Sequence, residues 1–166
     1  MTISEHYRKL NKDLHAQGSY GRKGDKWAGR VEELIRDYDP HTILDYGCGQ
    51  GALGRALGIP IQEYDPAIEG KDRPPTEADL VVCTDVLEHI EPEQLDAVLD
   101  DLQRVTGKCL FAVISTRPAK KILADGRNAH LIVEDWSFWE ERLSSRFRIG
   151  PRSENHKEVD VLLLPL

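Results

Sequence analysis

The stretch Ile43-Leu44-Asp45-Tyr46-Gly47-Cys48-Gly49-Gln50-Gly51 decides the reading of this chain. Thr42–Tyr46 is a short apolar run rich in β-forming residues, which predicts a buried strand. Glycines then fall at every second position, at Gly47, Gly49 and Gly51, and predict a tight turn whose backbone can approach a ligand closely. Ala52–Leu57 predicts the start of a helix. Asp45 places a carboxylate at the entrance of the turn, which suits a ligand carrying an ammonium group. The alternate spacing and the acid ahead of it differ from the dinucleotide fingerprint. A second acid, Asp65, follows 20 residues after Asp45, at the end of the predicted strand Pro60–Tyr64. A carboxylate there can accept both hydrogen bonds of a ribose diol. A tight turn without a ligand is the competing account, and the coincidence of two acids with three glycines speaks against it.

Outward from this unit the chain alternates. Glu5–Asp37 predicts one or two helices around the break Gly18-Ser19-Tyr20-Gly21. The second, Lys26–Tyr38, carries Trp27, Val31, Leu34 and Ile35 at helical spacing and ends at Pro40. Asp79–Cys83 is a third predicted strand, Pro92–Val105 a helix, and Cys109–Ile114 a fourth strand. Ser115–Asn128 reads as a long loop that would serve as a lid. Val133–Leu143 reads as a helix. Phe147–Ile149 and Val159–Leu164 read as an antiparallel hairpin around the polar turn Gly150–His156. Together these predict an α/β fold: a doubly wound, Rossmann-like, mostly parallel sheet with helices on both faces. The expected organisation is one domain over 1–166, with a helical cap over 1–38 and a cofactor-binding core over 39–166.

Composition narrows the function classes. The net charge of −7 argues against a strong, non-specific grip on nucleic acid. No apolar run reaches the roughly 18–20 residues needed to span a bilayer, and the first residues lack secretory character. The three cysteines, Cys48, Cys83 and Cys109, are widely spaced without a CxxC pair, as expected of reduced thiols in a cytoplasmic protein. Charge is uneven: between Asp39 and Thr116 acidic residues outnumber basic ones about three to one, while both flanks are mildly basic. An acidic core suits a cationic cofactor, and basic flanks suit an anionic substrate. A solvated charged surface accounts for the same pattern.

Ile43–Gly51 resembles motif I of the class I S-adenosylmethionine-dependent methyltransferases. Tyr64-Asp65-Pro66 resembles their second motif, and Ala78–Ile90 their fourth-strand motif. The resemblance runs from about Ile43 to the C-terminus. It implies that Gly47, Gly49 and Gly51 line the cofactor, that Asp45 holds its ammonium, and that Asp65 binds the ribose. It also implies that Thr84 and Asp85 lie beside the methionine moiety and the reacting methyl. Only 13 residues separate Asp65 from Asp79, and they include Pro74-Pro75. A full helix and strand do not fit there, so a trimmed sheet is expected. The acid that would meet the adenine amine is missing or replaced by Asp72 or Glu77.

Asp85-x-x-Glu88-His89 has spacing i, i+3, i+4, which gathers three ligand types on one face of a helical turn. His130 is a fourth candidate, on the loop after the fourth strand. Asp85, Glu88, His89 and His130 would form a site for a divalent cation such as Mg or Mn. The set resembles the Glu-x-x-Glu-His site of metal-dependent O-methyltransferases, with a shorter first ligand. Without a metal, His89 or His130 would act as general base, and a purely structural role is the third reading. Among other residues, Tyr7, Tyr20 and Trp27 are pocket-wall or core candidates. Arg117, Lys120, Lys121 and Arg127 crowd the lid, as phosphate or carboxylate contacts or as a solvated loop.

The expected function is methyl transfer from S-adenosylmethionine to a hydroxyl, or to a nitrogen, of a small or anionic acceptor, a small molecule or a nucleotide. Two rivals remain: the same cofactor put to other chemistry, and a non-catalytic partner subunit that kept the fold.

Overall fold

The computed structural model describes residues 2–18 and 20–166. Of the expected break at Gly18–Gly21, Ser19 lies outside the described residues.

The chain opens with helix α1 (Glu5–Ala16), capped by the Ser4 side chain, which accepts a hydrogen bond from the Tyr7 amide at 3.1 Å. A single 3₁₀ turn, Gly24–Trp27, leads into α2 (Ala28–Tyr38). The core then runs β1 (Ile43–Tyr46), α3 (Ala52–Leu57), β2 (Gln62–Tyr64), β3 (Ala78–Thr84), α4 (Leu95–Val105), β4 (Thr106–Ser115), α5 (Trp136–Ser144), β5 (Phe147–Glu154) and β6 (Glu158–Pro165). Among the described residues these strands form one sheet, in the order β2-β1-β3-β4-β6-β5. The first four are parallel, with Asp45 opposite both Glu63 and Val82. β6 runs antiparallel to β4 and to β5.

Period-two alternation sorts the strands' side chains onto two faces. Leu44, Tyr46, Val81, Cys83, Leu110, Ala112 and Ile114 face α4 and α5, where they meet Val98, Leu99, Leu102, Trp139 and Leu143. Ile43, Leu80, Val82, Phe111 and Val113 face α2 and α3, against Val31, Leu34 and Leu53. Both faces of the parallel region are covered, which is why β3 and β4 read as nearly continuous apolar runs. A third cluster joins Ile3, Tyr7 and Leu14 to Leu123 and Ala129, so α1 packs on the segment after β4, away from the sheet faces.

The expected trimming is present: among the described residues no strand lies between Tyr64 and Ala78. The final hairpin is longer than its sequence suggests. Gly150–Glu154 continues β5 through a bulge, and the turn shrinks to Asn155–Lys157, where Asn155 Oδ1 accepts from the Lys157 amide at 2.8 Å. Gly150 and Pro151 read as turn formers, yet an edge strand tolerates proline, and Gly150 sits where a Cβ would come within 2.6 Å of the Leu162 carbonyl. The expected helix from Val133 begins at Trp136, because Asp135 caps it. The lid segment is not a free loop. Asn128 clamps Ala119 by accepting its amide and donating to its carbonyl, both at 2.9 Å, and the Ala129 amide reaches the Lys121 carbonyl. All three cysteines are buried and free. Among the described residues no helix is long and apolar enough to cross a membrane.

Candidate active site at the carboxyl ends of the strands

The chain turns to opposite sides of the sheet after β1, toward β2 and then toward β3. A crevice therefore opens at the carboxyl ends of these strands. It holds a cavity of about 640 Å³, within the range of small-molecule sites. Its floor comprises Asp45, Gly47, Cys48 and Gly49 at the end of β1, Asp65 to Ala67 after β2, and Thr84 to Val86 at the end of β3. Its roof is the cap, through Tyr7, Asn11, His15 and Tyr20. His89, Ala129 and His130 close one end.

The turn after β1 is built by its glycines. Gly47 has φ +81°, and a Cβ there would stand 2.3 Å from Val86 Cγ2. Gly49 has φ +51°, and a Cβ would meet the Gly21 carbonyl at 2.5 Å, so only glycine lets the cap seat on the turn. Gly51 departs from its expected role. It faces the Glu63–Lys71 ion pair outside the cavity and leads into α3.

Asp45 is 4% exposed, and among the described residues its carboxylate makes no hydrogen bond or ion pair. Burial, followed by the charge of Glu63, raises its pKa to about 7. A buried carboxylate without a partner is the feature an ammonium would complete. Asp65 is fixed from behind: Oδ2 accepts the Gly49 amide at 3.1 Å and Oδ1 the Ala67 amide at 3.0 Å. Each oxygen keeps a lone pair for a diol. These groups fit S-adenosylmethionine, with Asp45 toward the amino group and Asp65 toward the ribose. Asp72 and Glu77 are exposed and lie outside the cavity lining, so neither replaces the missing adenine acid.

The metal set changes. Asp85 has φ +55°, a left-handed conformation that Asp tolerates better than most residues. The chain turns there, and only Leu87–His89 forms a 3₁₀ turn. The expected helical face therefore does not exist. Glu88, His89 and His130 place one ligand atom each within 4.8 Å of one another, and Asp85 is not among them. Asp85 and Thr84 line the cavity beside them.

His89 Nδ1 lies 2.7 Å from the Ala129 carbonyl, and His130 Nδ1 lies 2.5 Å from the Arg117 carbonyl. A carbonyl only accepts, so each Nδ1 carries a proton, and in the neutral ring Nε2 is the atom that keeps its lone pair. The rings meet edge to face at 4.8 Å. Burial, then the charge of His130, lowers the His89 pKa to about 4. Glu88 is fully buried: Oε1 accepts the Ser115 amide at 3.1 Å, while Oε2 has no partner. Burial and the charge of Asp85 push its pKa well up.

The cap contributes what sequence reasoning missed. His15 is half-buried over the floor, with Nε2 3.9 Å from Asp65 Oδ2 and Nδ1 enclosed without a partner. Asn11 was detectable, since it interrupts the stripe Tyr7–Asn11–Leu14 with a polar side chain. Tyr7 and Tyr20 line the cavity. Trp27 packs instead on Phe111, at 5.6 Å between rings.

Comparisons with known proteins find the same fold. The complex of DhpI with S-adenosylhomocysteine has the same fold, with a TM-score of 0.70 and 16% identity over 98% of each chain. The Burkholderia thailandensis 1,6-didemethyltoxoflavin-N1-methyltransferase, with 1,6-didemethyltoxoflavin and S-adenosylhomocysteine bound, gives 0.71 and 12% identity, covering 99% of this chain and 91% of that one. The Synechocystis magnesium protoporphyrin IX methyltransferase with S-adenosylhomocysteine gives 0.64 and 16%, over 86% and 83%. No curated protein sequence matches the chain. Residues 20–150 match the profile of the family described as "Methyltransferase domain". The chain belongs to that family of methyltransferase domains.

Proposed function

We propose that this enzyme transfers the methyl group of S-adenosylmethionine to a hydroxyl of a small acceptor, with His89 and His130 taking up the acceptor's proton. The carrying observation is the pair of imidazoles at the cavity wall, both held through Nδ1 by backbone carbonyls, which leaves Nε2 as the acceptor of the neutral ring. Bound at this floor, the cofactor supplies an electrophilic methyl group on a sulfonium. The protein's part is to hold and align. Asp45 neutralises the ligand's positive end, Asp65 fixes the ribose, and Tyr7 and Tyr20 roof the cavity against water. Tyr7 donates to the His89 carbonyl at 2.6 Å, which ties the roof to the base. In the transfer the acceptor oxygen forms a bond to carbon as the carbon–sulfur bond breaks, and its electron pair returns to sulfur. The hydroxyl proton passes to one Nε2. Charge on His130 disfavours charge on His89.

Glu88 supports a second reading. Its Oε2 is fully buried and unpartnered, and Glu88, His89 and His130 each offer one ligand atom within 4.8 Å of the others, a donor set suited to a divalent cation. Such an ion would lower the pKa of an acceptor hydroxyl. The test is a screen of hydroxylated and aminated acceptors, scored as S-adenosylhomocysteine formed, with enzyme freed of metal by EDTA and then resupplied with Mg or Mn. Turnover that survives EDTA and is lost in His89→Gln/His130→Gln supports the imidazole base. Turnover lost in EDTA and restored by Mg or Mn supports the metal. Methylthioadenosine as product, or turnover unchanged in the double variant, refutes the proposal.

A further inference from the structure

We infer that Arg117 and Lys120 form a subsite for an anionic head group of the acceptor, a phosphate or a carboxylate. The inference rests on the methyl-transfer reading above and names the substrate class of that same cavity.

Charge inside the cavity is segregated. Its acids, Asp45, Asp65 and Asp85, all stand at strand ends on the floor, where the sulfonium cofactor fits. Its cations come from two segments: Arg22, Lys23 and Lys26 ahead of α2, and Arg117, Lys120 and Lys121 after β4. In a chain of net charge −7 this concentration of positive charge runs against the whole-molecule field.

Two of these cations are already engaged. Lys26 pairs with Glu158 at 2.6 Å. Lys121 reaches Gln17 Oε1 at 3.5 Å and lies over the Tyr20 ring. Arg22 and Lys23 follow Gly21, whose carbonyl accepts the Gln50 amide at 2.9 Å, so they stand beside the glycine turn, whereas the Arg117 carbonyl holds one of the two imidazoles. Arg117 and Lys120 remain. Among the described residues neither has a carboxylate within 4.0 Å.

Surface lysines on a loose loop would carry no such meaning, but this backbone is fixed. The Thr116 amide donates to the Lys157 carbonyl at 3.0 Å, and Asn128 clamps Ala119 from both sides. Leu123 and Ala129 anchor the segment under α1. The subsite also touches the chemistry: the Arg117 carbonyl holds His130 Nδ1. An anion gripped there places the rest of the acceptor against the imidazole pair. A guanidinium offers a planar fork for phosphate or carboxylate, and an ammonium adds a second point of charge.

The test titrates inorganic phosphate, and separately acetate, into protein saturated with S-adenosylhomocysteine, at ionic strength fixed with sodium chloride, by calorimetry. Arg117→Ala/Lys120→Ala is compared with Lys12→Ala/Arg36→Ala, which removes the same charge far from the cavity. Binding of at least one anion in the millimolar range, weakened tenfold or more only in the first variant, is the expected result. Preference for phosphate assigns a phosphoryl head group, and preference for acetate assigns a carboxylate. Failure of both anions to bind, or equal binding to both variants, overturns the subsite. Failure of the wild type to bind S-adenosylhomocysteine overturns the methyl-transfer reading and the subsite with it.

Discussion

Asp45 makes cofactor affinity depend on pH in a calculable way. Its carboxyl is buried beside Glu63 and Asp65, and its pKa is raised to about 7. Only the ionised form attracts the ligand's ammonium. With a pKa near 7, roughly nine-tenths is ionised at pH 8 and one-tenth at pH 6, so affinity falls about tenfold between them. The ligand's ammonium stays protonated over this range, so the slope belongs to the protein. Binding lowers the carboxyl's pKa and expels a proton, about half an equivalent at pH 7. Calorimetry with S-adenosylhomocysteine at pH 6, 7 and 8, in two buffers of different ionisation enthalpy, reads both quantities. Asp45→Asn binds at pH 8 no more tightly than the wild type at pH 6, and its slope is flat. The same residue has a stability signature of known sign. A carboxyl raised above its unfolded value near 4 costs the ligand-free fold increasingly as pH rises from 4 to 7. Asp45→Asn is therefore stabilised relative to wild type at pH 8, and this gain shrinks toward pH 5. A wild-type affinity constant from pH 6 to 8, or an Asp45→Asn slope equal to the wild type's, would refute the reasoning.

Three further perturbations have defined outcomes. Gly47→Ala places a Cβ against Val86 at positive φ, and denaturant titration should show a loss of about 2–4 kcal/mol; Val86→Ala should return only the steric part. Ser4→Ala removes both the α1 cap and the 2.6 Å bond from its hydroxyl to Glu91. It should cost about 1–2 kcal/mol and accelerate proteolysis ahead of Gly18, while a Ser4→Ala cap that stays equally protected would contradict the role given to α1. His89 has its pKa depressed to about 4, so its neutral form supports the fold above pH 6.5 and that support drains away as pH falls toward 4. The stability difference between wild type and His89→Gln should therefore shift against the wild type by on the order of 3 kcal/mol across that window, and a constant difference would show that His89 is not held neutral.

What the sequence disclosed was local chemistry carried by short segments. Ile43–Tyr46 is apolar and β-forming because both of its faces are covered, and the glycines after it are demanded by Val86 and by the Gly21 carbonyl. Asp45 and Asp65 were legible because strand ends fix where a side chain points. The set Asp85, Glu88 and His89 was misread for a physical reason. The same letters can write an α-turn or a left-handed residue followed by a 3₁₀ turn, and the choice is made by Asp85's amide reaching the Val113 carbonyl, a partner 28 positions away. His15 and the clamp by Asn128 were invisible on the same grounds, since both gain their meaning from contacts across the fold.

The trimmed segment after Asp65 bears on the rival reading, a fold retained without catalysis. Loss of a strand there leaves β2 as a three-residue edge, covered by side-chain bonds between Gln62 and Thr76. Yet the segment still braces the cofactor floor. The Lys71 carbonyl accepts the Asp65 amide at 2.9 Å. The Lys71 ammonium pairs with Glu63 and reaches the Gly49 carbonyl at 3.3 Å. One residue thus fixes the ribose acid and the glycine turn together. A partner subunit freed from binding the cofactor would have no reason to keep Asp45 buried without a partner, at the stability cost such a carboxylate carries. The short segment after Asp65 thus leaves Asp45, Asp65 and the glycine turn braced, as the proposed methyl transfer requires.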